Sequence, residues 1–270
     1  MSAFTRKLSL YLKLRTRGWG YLLKSTPTPA KWVFIVGCYN SGTTLLHDLL
    51  AQHPKAGSMP NEGQFFTDQL MTGEKAGVRR LWALKPDAFR MVEGDYAVNV
   101  KKLKKEWAYF YNDASRPVLI EKTIANAART RWLQQHFQPA YFICLFRNGY
   151  AVAEGIHRKE NHPVETSIQQ WKVSNDVLLE DMQFLKKKIQ ISYEDLTANP
   201  DSTMQRITAF LDLDPLPQTL FSQSYKIHNL SSSIRNMNEE SFNRLTPDMV
   251  KIINSQASET LLKLGYPLLG

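Results

Sequence analysis

With 270 residues and 43% hydrophobic content, the chain can bury the core of one large α/β domain or two small ones; no apolar run approaches the roughly 18 residues that cross a bilayer, and no apolar stretch with a small-residue cleavage site marks a secretory signal. Two cysteines, Cys38 and Cys144, both in or beside apolar strand-like runs, exclude a disulfide scaffold and a cysteine-based zinc site and fit a reducing compartment, so a cytoplasmic location is expected. Of the net charge of +9, residues 1–31 supply +7 through Arg6, Lys7, Lys13, Arg15, Arg17, Lys24 and Lys31 with no acidic residue, and the near-neutral remainder argues against nucleic-acid binding by the folded surface.

In the basic arm, residues 1–30, Leu8, Leu10, Leu12, Leu14, Trp19, Tyr21 and Leu22 are interleaved with the cations. Three readings stand: a helix docked on the domain with its charged face in water, an interfacial helix in peripheral contact with an anionic membrane, or a transit segment. Ser25 to Pro29 form a stiff linker, and a single domain is expected over 31–270. Its first strand is Trp32–Val36, after which a polar turn leads to leucines 45, 46, 49 and 50 at helical spacing. That helix, over 43–52, stops before His53-Pro54, since the residue preceding proline is biased away from helical backbone. A short second strand over Ala56 to Met59 leads into Asn61-Glu-Gly-Gln-Phe-Phe66, and residues 67–116, weakly periodic, are expected to be helical. Further apolar strands at Pro117–Ile120, Ala140–Phe146 and Ile189–Tyr193 are each followed by a helix. A long helix covers about 165–188, and two more run from Pro200 to Leu211 and from Pro247 to Leu264. This alternation, without repeat or internal linker, predicts an α/β fold: a central parallel sheet flanked by helices through right-handed crossovers.

In such sheets ligands bind beyond the carboxyl ends of the strands, which singles out Asn40 to Thr44, Lys122, Arg147-Asn148 and Tyr193. Gly37, four residues and Gly42 match the opening of a P-loop, where main-chain N–H groups and a helix N-terminus face an anion. Thr43, however, stands where a nucleotide-hydrolysing loop needs lysine. The strand ending at Phe146 is followed by Arg147 rather than by the aspartate that would hold Mg²⁺. Arginine pairs bidentately with phosphate oxygens without a metal. P-loop kinase chemistry is therefore disfavoured, and a nucleotide with two separate anionic groups fits, one over the helix at 43 and one at Arg147.

Gly37-x₄-Gly42-Thr43-Thr44 followed by strand-Arg147-Asn148 resembles the two signatures of sulfotransferases that use 3′-phosphoadenosine 5′-phosphosulfate (PAPS) and release PAP. Asn61 to Phe66 and Glu121-Lys-Thr123 are similar to segments near the active site of glycan- and tyrosine-sulfating members. Tyr193-Glu-Asp-Leu196 with Phe210-Leu211 is similar to a further family segment, so the likeness runs over about residues 31–265. The resemblance implies a P-loop-like sulfotransferase fold and in-line transfer of a sulfuryl group to a hydroxyl or amine acceptor, a small molecule or glycan, with no metal. It gives Ser41, Gly42, Thr43 and Thr44 to the 5′-phosphosulfate, Arg147 to the 3′-phosphate and Tyr193 to the adenine. Glu62 would be the general base, because Ile124 stands where cytosolic relatives have histidine, and Lys122 would stabilise the leaving group. Two positions depart from the pattern. Asn40 replaces a lysine or arginine in the loop, and Gly155 replaces a serine of the 3′-phosphate site; His157, Arg158 or the 231–235 segment with Arg235 are the candidate substitutes. These departures keep open a non-catalytic PAP-binding or membrane-surface protein of the same fold. The acceptor cleft is expected from residues 67–116 and 157–170, the long connections.

Overall fold

Every residue from Trp32 to Val36 is apolar because both faces of its strand are covered, as in parallel sheets generally. The computed structural model describes residue 12 and residues 19–223, 225–227 and 230–270. In chain order its elements are β1 (Lys31–Gly37), α1 (Thr43–Leu50), β2 (Ala56–Ser58), α2 (Gly73–Ala76), α3 (Val100–Phe110), β3 (Val118–Glu121), α4 (Thr130–His136), β4 (Ala140–Phe146), α5 (Gly149–Glu160), α6 (Val164–Met182), β5 (Lys188–Ser192), α7 (Tyr193–Ala198), α8 (Pro200–Phe210), β6 (Tyr225–Ile227), β7 (Leu230–Ser232), α9 (Asn238–Phe242) and α10 (Pro247–Lys263). Strands β1 to β5 form one parallel sheet in the order β2-β3-β1-β4-β5, and β6 and β7 pair antiparallel in a separate ribbon.

Alternate strand positions serve opposite layers. Trp32, Phe34 and Val36 of β1 join Phe142, Cys144 and Phe146 of β4 against Trp107, Trp132 and Phe137. Val33 and Ile35 join Ile143 and Leu145 against the leucines of α1 and Met204 and Ile207 of α8. On the first side the rings of Trp32 and Phe34 meet Phe137 edge-on, at centroid distances of 5.0 and 5.5 Å, a favoured aromatic geometry. A third cluster, built from Cys38, Tyr150, Trp171 and Leu261 among others, closes the carboxyl end of the sheet with α5, α6 and α10.

The sheet order fixes where a ligand can go. The chain leaves β1 toward β2 and β3 on one side and leaves β4 toward β5 on the other, so the crevice between the β1 and β4 loops is the topological switch point.

Several boundaries differ from the sequence reading for local reasons. Strand β5 stops at Ser192, whose side chain accepts from the Asp195 amide at 2.9 Å and caps α7, so Tyr193 opens a helix instead of ending a strand. Helix α6 ends at Met182, because Lys188 is needed opposite Phe142 at the start of β5. Within 67–116 the one long helix is α3, capped by Asn99; the remainder is short turns. Of the basic arm, Tyr21–Leu23 make a 3₁₀ turn beside α3, with Lys102 Nζ 5.8 Å from the Tyr21 ring, while residues 1–11 and 13–18, where most of the expected N-terminal helix falls, lie outside the described residues.

Phe34 is fully buried between layers, whereas Leu262 on α10 is 59% exposed. Phe34→Ala is expected to cost about 3–5 kcal/mol in chemical denaturation and Leu262→Ala no more than about 0.5 kcal/mol.

Candidate functional site

The β1 loop is wound by two left-handed residues, Asn40 at φ 67° and Gly42 at φ 91°. Asparagine tolerates that conformation better than most side-chain-bearing residues. At 42 only glycine serves, since a Cβ there would lie 2.6 Å from the Tyr193 ring. The Ser41 amide closes the turn by donating to the Cys38 carbonyl at 3.2 Å. The amides of Gly42, Thr43 and Thr44 have no acceptor among the described residues and lie at the N-terminus of α1, the positive end of its dipole. Ser41 Oγ is buried and equally without a partner. An orphaned hydroxyl beside free amides is the donor set of an anion cradle.

Across the switch point, the side chain of Arg147, 6% exposed, reaches back to this loop. Its Nη1 donates to the Asn40 carbonyl at 2.9 Å and its Nε to Asn238 Oδ1 at 2.9 Å, and the guanidinium lies 4.1 Å over the Tyr193 ring. Burial lowers its proton affinity, with Tyr193 and Glu194 opposing the shift. Glu194 anchors this end by accepting from the Asn148 amide at 3.1 Å, Asn238 Nδ2 at 2.6 Å and the Tyr266 hydroxyl at 3.1 Å. Tyr193, its ring under Arg147 and against Gly42, donates to the Arg235 carbonyl at 3.3 Å and accepts from the Met237 amide at 3.2 Å.

The loops after β2 and β3 supply the reactive-looking pair. Lys122 Nζ lies 3.7 Å from Glu62 Oε1 and 3.4 Å from Thr44 Oγ1, with the two charged side chains only 12% and 15% exposed. Burial raises the Glu62 pKa against the opposing pull of Lys122, a 2.7 Å hydrogen bond from Gln64 Nε2, and Arg80. Behind it, Glu121 is fully buried and accepts from the Gly63 amide at 2.8 Å and from Thr123 and Asn126, while Trp107 Nε1 donates to the Gly63 carbonyl at 3.0 Å. The Glu62 loop is thus clamped at the adjacent residue from both sides. Glu121 in this supporting position was not singled out from sequence; Thr123 and Asn126 are its near neighbours in the chain, but the Gly63 amide that ties it to the Glu62 loop is 58 residues away.

Outside Glu62 a cavity of 320 Å³ is lined by Asn61, Glu62, Gln64, Phe65, Arg79 and Arg80 among others. Arg80 Nη1 donates to the Tyr39 hydroxyl at 2.8 Å, and that hydroxyl donates to Glu160 Oε1 at 2.8 Å, so the cavity wall is tied to the residue preceding Asn40. The other proposed substitutes in the 3′-phosphate region are engaged elsewhere. Arg158 Nε donates to Glu154 at 2.8 Å, His157 Nδ1 faces the His162 carbonyl at 2.6 Å, and Arg235 pairs with Glu240 at 3.0 Å.

The sequence profile described as the sulfotransferase family matches residues 33–218. No curated protein matches the chain. Among solved structures, the sulfotransferase domain of the Synechococcus PCC 7002 olefin synthase superposes with a TM-score of 0.59 at 21% identity, covering 87% of this chain and 97% of that one. A Mycobacterium avium sulfotransferase gives 0.58 at 15%, covering 98% and 83%, and a mouse sulfotransferase complexed with PAP gives 0.51 at 14%, covering 92% and 89%.

Burial pushes the Glu121 carboxyl up to about 7, with Glu62 adding to the shift and the bonds from Thr123 and Gly63 opposing it. A carboxyl raised on folding contributes stability below its unfolded pKa and loses it as pH rises through the folded value. The wild-type melting temperature should therefore fall between about pH 5 and pH 8 more steeply than that of Glu121→Gln. Equal slopes in differential scanning calorimetry would count against this assignment.

Proposed function

The chain belongs to the sulfotransferase family, and on that premise we propose that it moves a sulfuryl group from PAPS to the hydroxyl or amine of a polar acceptor by in-line transfer. The family and the fold support a sulfotransfer reaction. The observation that carries the finer reading is Lys122, one ammonium within 4 Å of both Glu62 and Thr44, the second residue of α1.

PAPS as donor, with PAP as product, is supported by the PAP complex of the mouse structure of the same fold. It is supported too by the fit of this chain's groups: the orphaned Ser41 hydroxyl and the free amides at 42–44 for one anionic end, and buried Arg147 for the other. When bound, the donor supplies the activated sulfuryl group. Glu62 takes the acceptor's proton as the acceptor oxygen or nitrogen bonds to sulfur. Lys122 and Thr44 offset the charge left on the phosphate oxygen as its bond to sulfur breaks. Tyr193 acts as a support for Arg147 and Gly42. The cavity beside Glu62, polar apart from Phe65, suits a hydroxylated small molecule or glycan. Two buried cysteines outside any disulfide fit the proposed cytoplasmic location. Peripheral contact with an anionic membrane is supported by Trp19 and Leu23, 79% and 89% exposed beside Lys24.

A base must be ionised, so turnover should fall as pH drops through the raised pKa of Glu62. Glu62→Gln is expected to lower kcat by about 10²–10⁴-fold, remove that acid limb and leave PAP affinity intact. Retained turnover in a radiolabelled-PAPS assay would take the base role from Glu62. For the membrane, Trp19→Ser with Leu23→Ser should abolish cosedimentation with phosphatidylserine vesicles; unchanged sedimentation, or none by the wild type, rejects that contact.

A further inference from the structure

The two positions that depart from the family pattern, Asn40 and Gly155, touch each other. A Cβ on residue 155 would lie 2.1 Å from Asn40 Nδ2, so the asparagine side chain fills the space that any side chain at 155 would need. From there Asn40 Oδ1 accepts from Lys159 Nζ at 3.0 Å, while the Asn40 carbonyl accepts from Arg147 Nη1. One residue thus holds two cations by its two oxygens. Lys159 lies one helical turn beyond Gly155 on α5, so the space at 155 and the cation at 159 share one face of the helix.

The charge arrangement around them is selective. Arg158, Arg235 and Arg244 each pair with Glu154 or Glu240. Among the described residues neither Lys159 nor Arg147 has a carboxylate within ion-pair distance. Lys159 itself reaches solvent, yet its ammonium is crowded by protein atoms. Partial burial and then Arg147 and Arg158 lower its proton affinity, against an opposing pull from Glu154 and Glu160. Two cations fixed on one asparagine, neither in ion-pair contact with a carboxylate among the described residues, form a receptor for a doubly charged anion.

We propose that Lys159 is a nucleotide-binding residue that completes the 3′-phosphate subsite with Arg147, in place of a hydroxyl at position 155. The assignment rests on the donor reading above. It makes Asn40 a bracket for both cations and puts the second cation of the 3′-phosphate subsite on α5.

Calorimetric titration of the full chain with PAP and with adenosine 5′-monophosphate, which lacks the 3′-phosphate, separates the possibilities. Lys159→Met should weaken PAP roughly ten- to hundredfold and leave the monophosphate within about twofold, whereas Lys159→Arg should restore PAP affinity. Unchanged PAP affinity in Lys159→Met, or equal weakening of both nucleotides, overturns the role of Lys159 while a wild type that prefers PAP preserves the donor reading. A wild type that does not distinguish PAP from the monophosphate overturns both. Melting temperatures of the two variants, at a surface position, check that each is folded.

Discussion

Arg147 is the tie on which the crevice between β1 and β4 depends. It is a buried cation at the carboxyl edge of the sheet with no carboxylate in ion-pair range among the described residues, stabilised by a carbonyl from the β1 loop, an amide oxygen from α9 and the face of Tyr193. Burying a charge this way is costly unless its hydrogens are occupied and its shape matched. The surrounding polar residues do that work: Asn238 is held by Glu194, Glu194 by Tyr266 and Asn148, and Tyr193 by the backbone at 235–237. Segments far apart in sequence therefore share one cation at the crevice between β1 and β4.

The opposite side of the crevice uses carboxylates in a different way. Glu62 and Glu121 both have their proton affinity raised by burial, but only Glu62 has a cation at 3.7 Å and opens on the cavity. Glu121 is enclosed by donors and fixes the loop at Gly63. Two acidic groups in neighbouring loops thus divide into one that faces the cavity and one that holds the first in position, a separation set by environment alone.

Most of the fold was legible because the strands are continuous apolar runs bounded by turn residues, and β4 was read to its limits. The capped start of α7 at Ser192 was also written locally, as serine followed by acidic residues, but the apolar run before it extended the strand by one residue. The candidate site was legible where chemistry follows a strand end, as at Thr43, Lys122 and Arg147. It was not legible where partners meet through the fold. Asn238 beneath Arg147, Glu121 behind Glu62 and Lys159 on Asn40 are contacts over 58 to 119 residues of sequence, and no spacing rule encodes them. Asn40 and Gly155 look like two independent defects in sequence; in space one fills the room the other leaves.

The register of β1 on β4, Trp32 opposite Ala140 through Gly37 opposite Leu145, gives each residue of both strands to one layer or the other. Adding or removing a single residue in either strand would exchange the layers and turn the loop that follows. A change of length is accordingly tolerated best in connections outside the central pair. The stretch between β2 and α3, mostly short turns, forms a wall of the cavity at Arg79 and Arg80 without carrying any residue of the β1 to β4 crevice. Insertions there can reshape the cavity while the β1 to β4 crevice stays as it is, so the two parts of the site can change independently of one another.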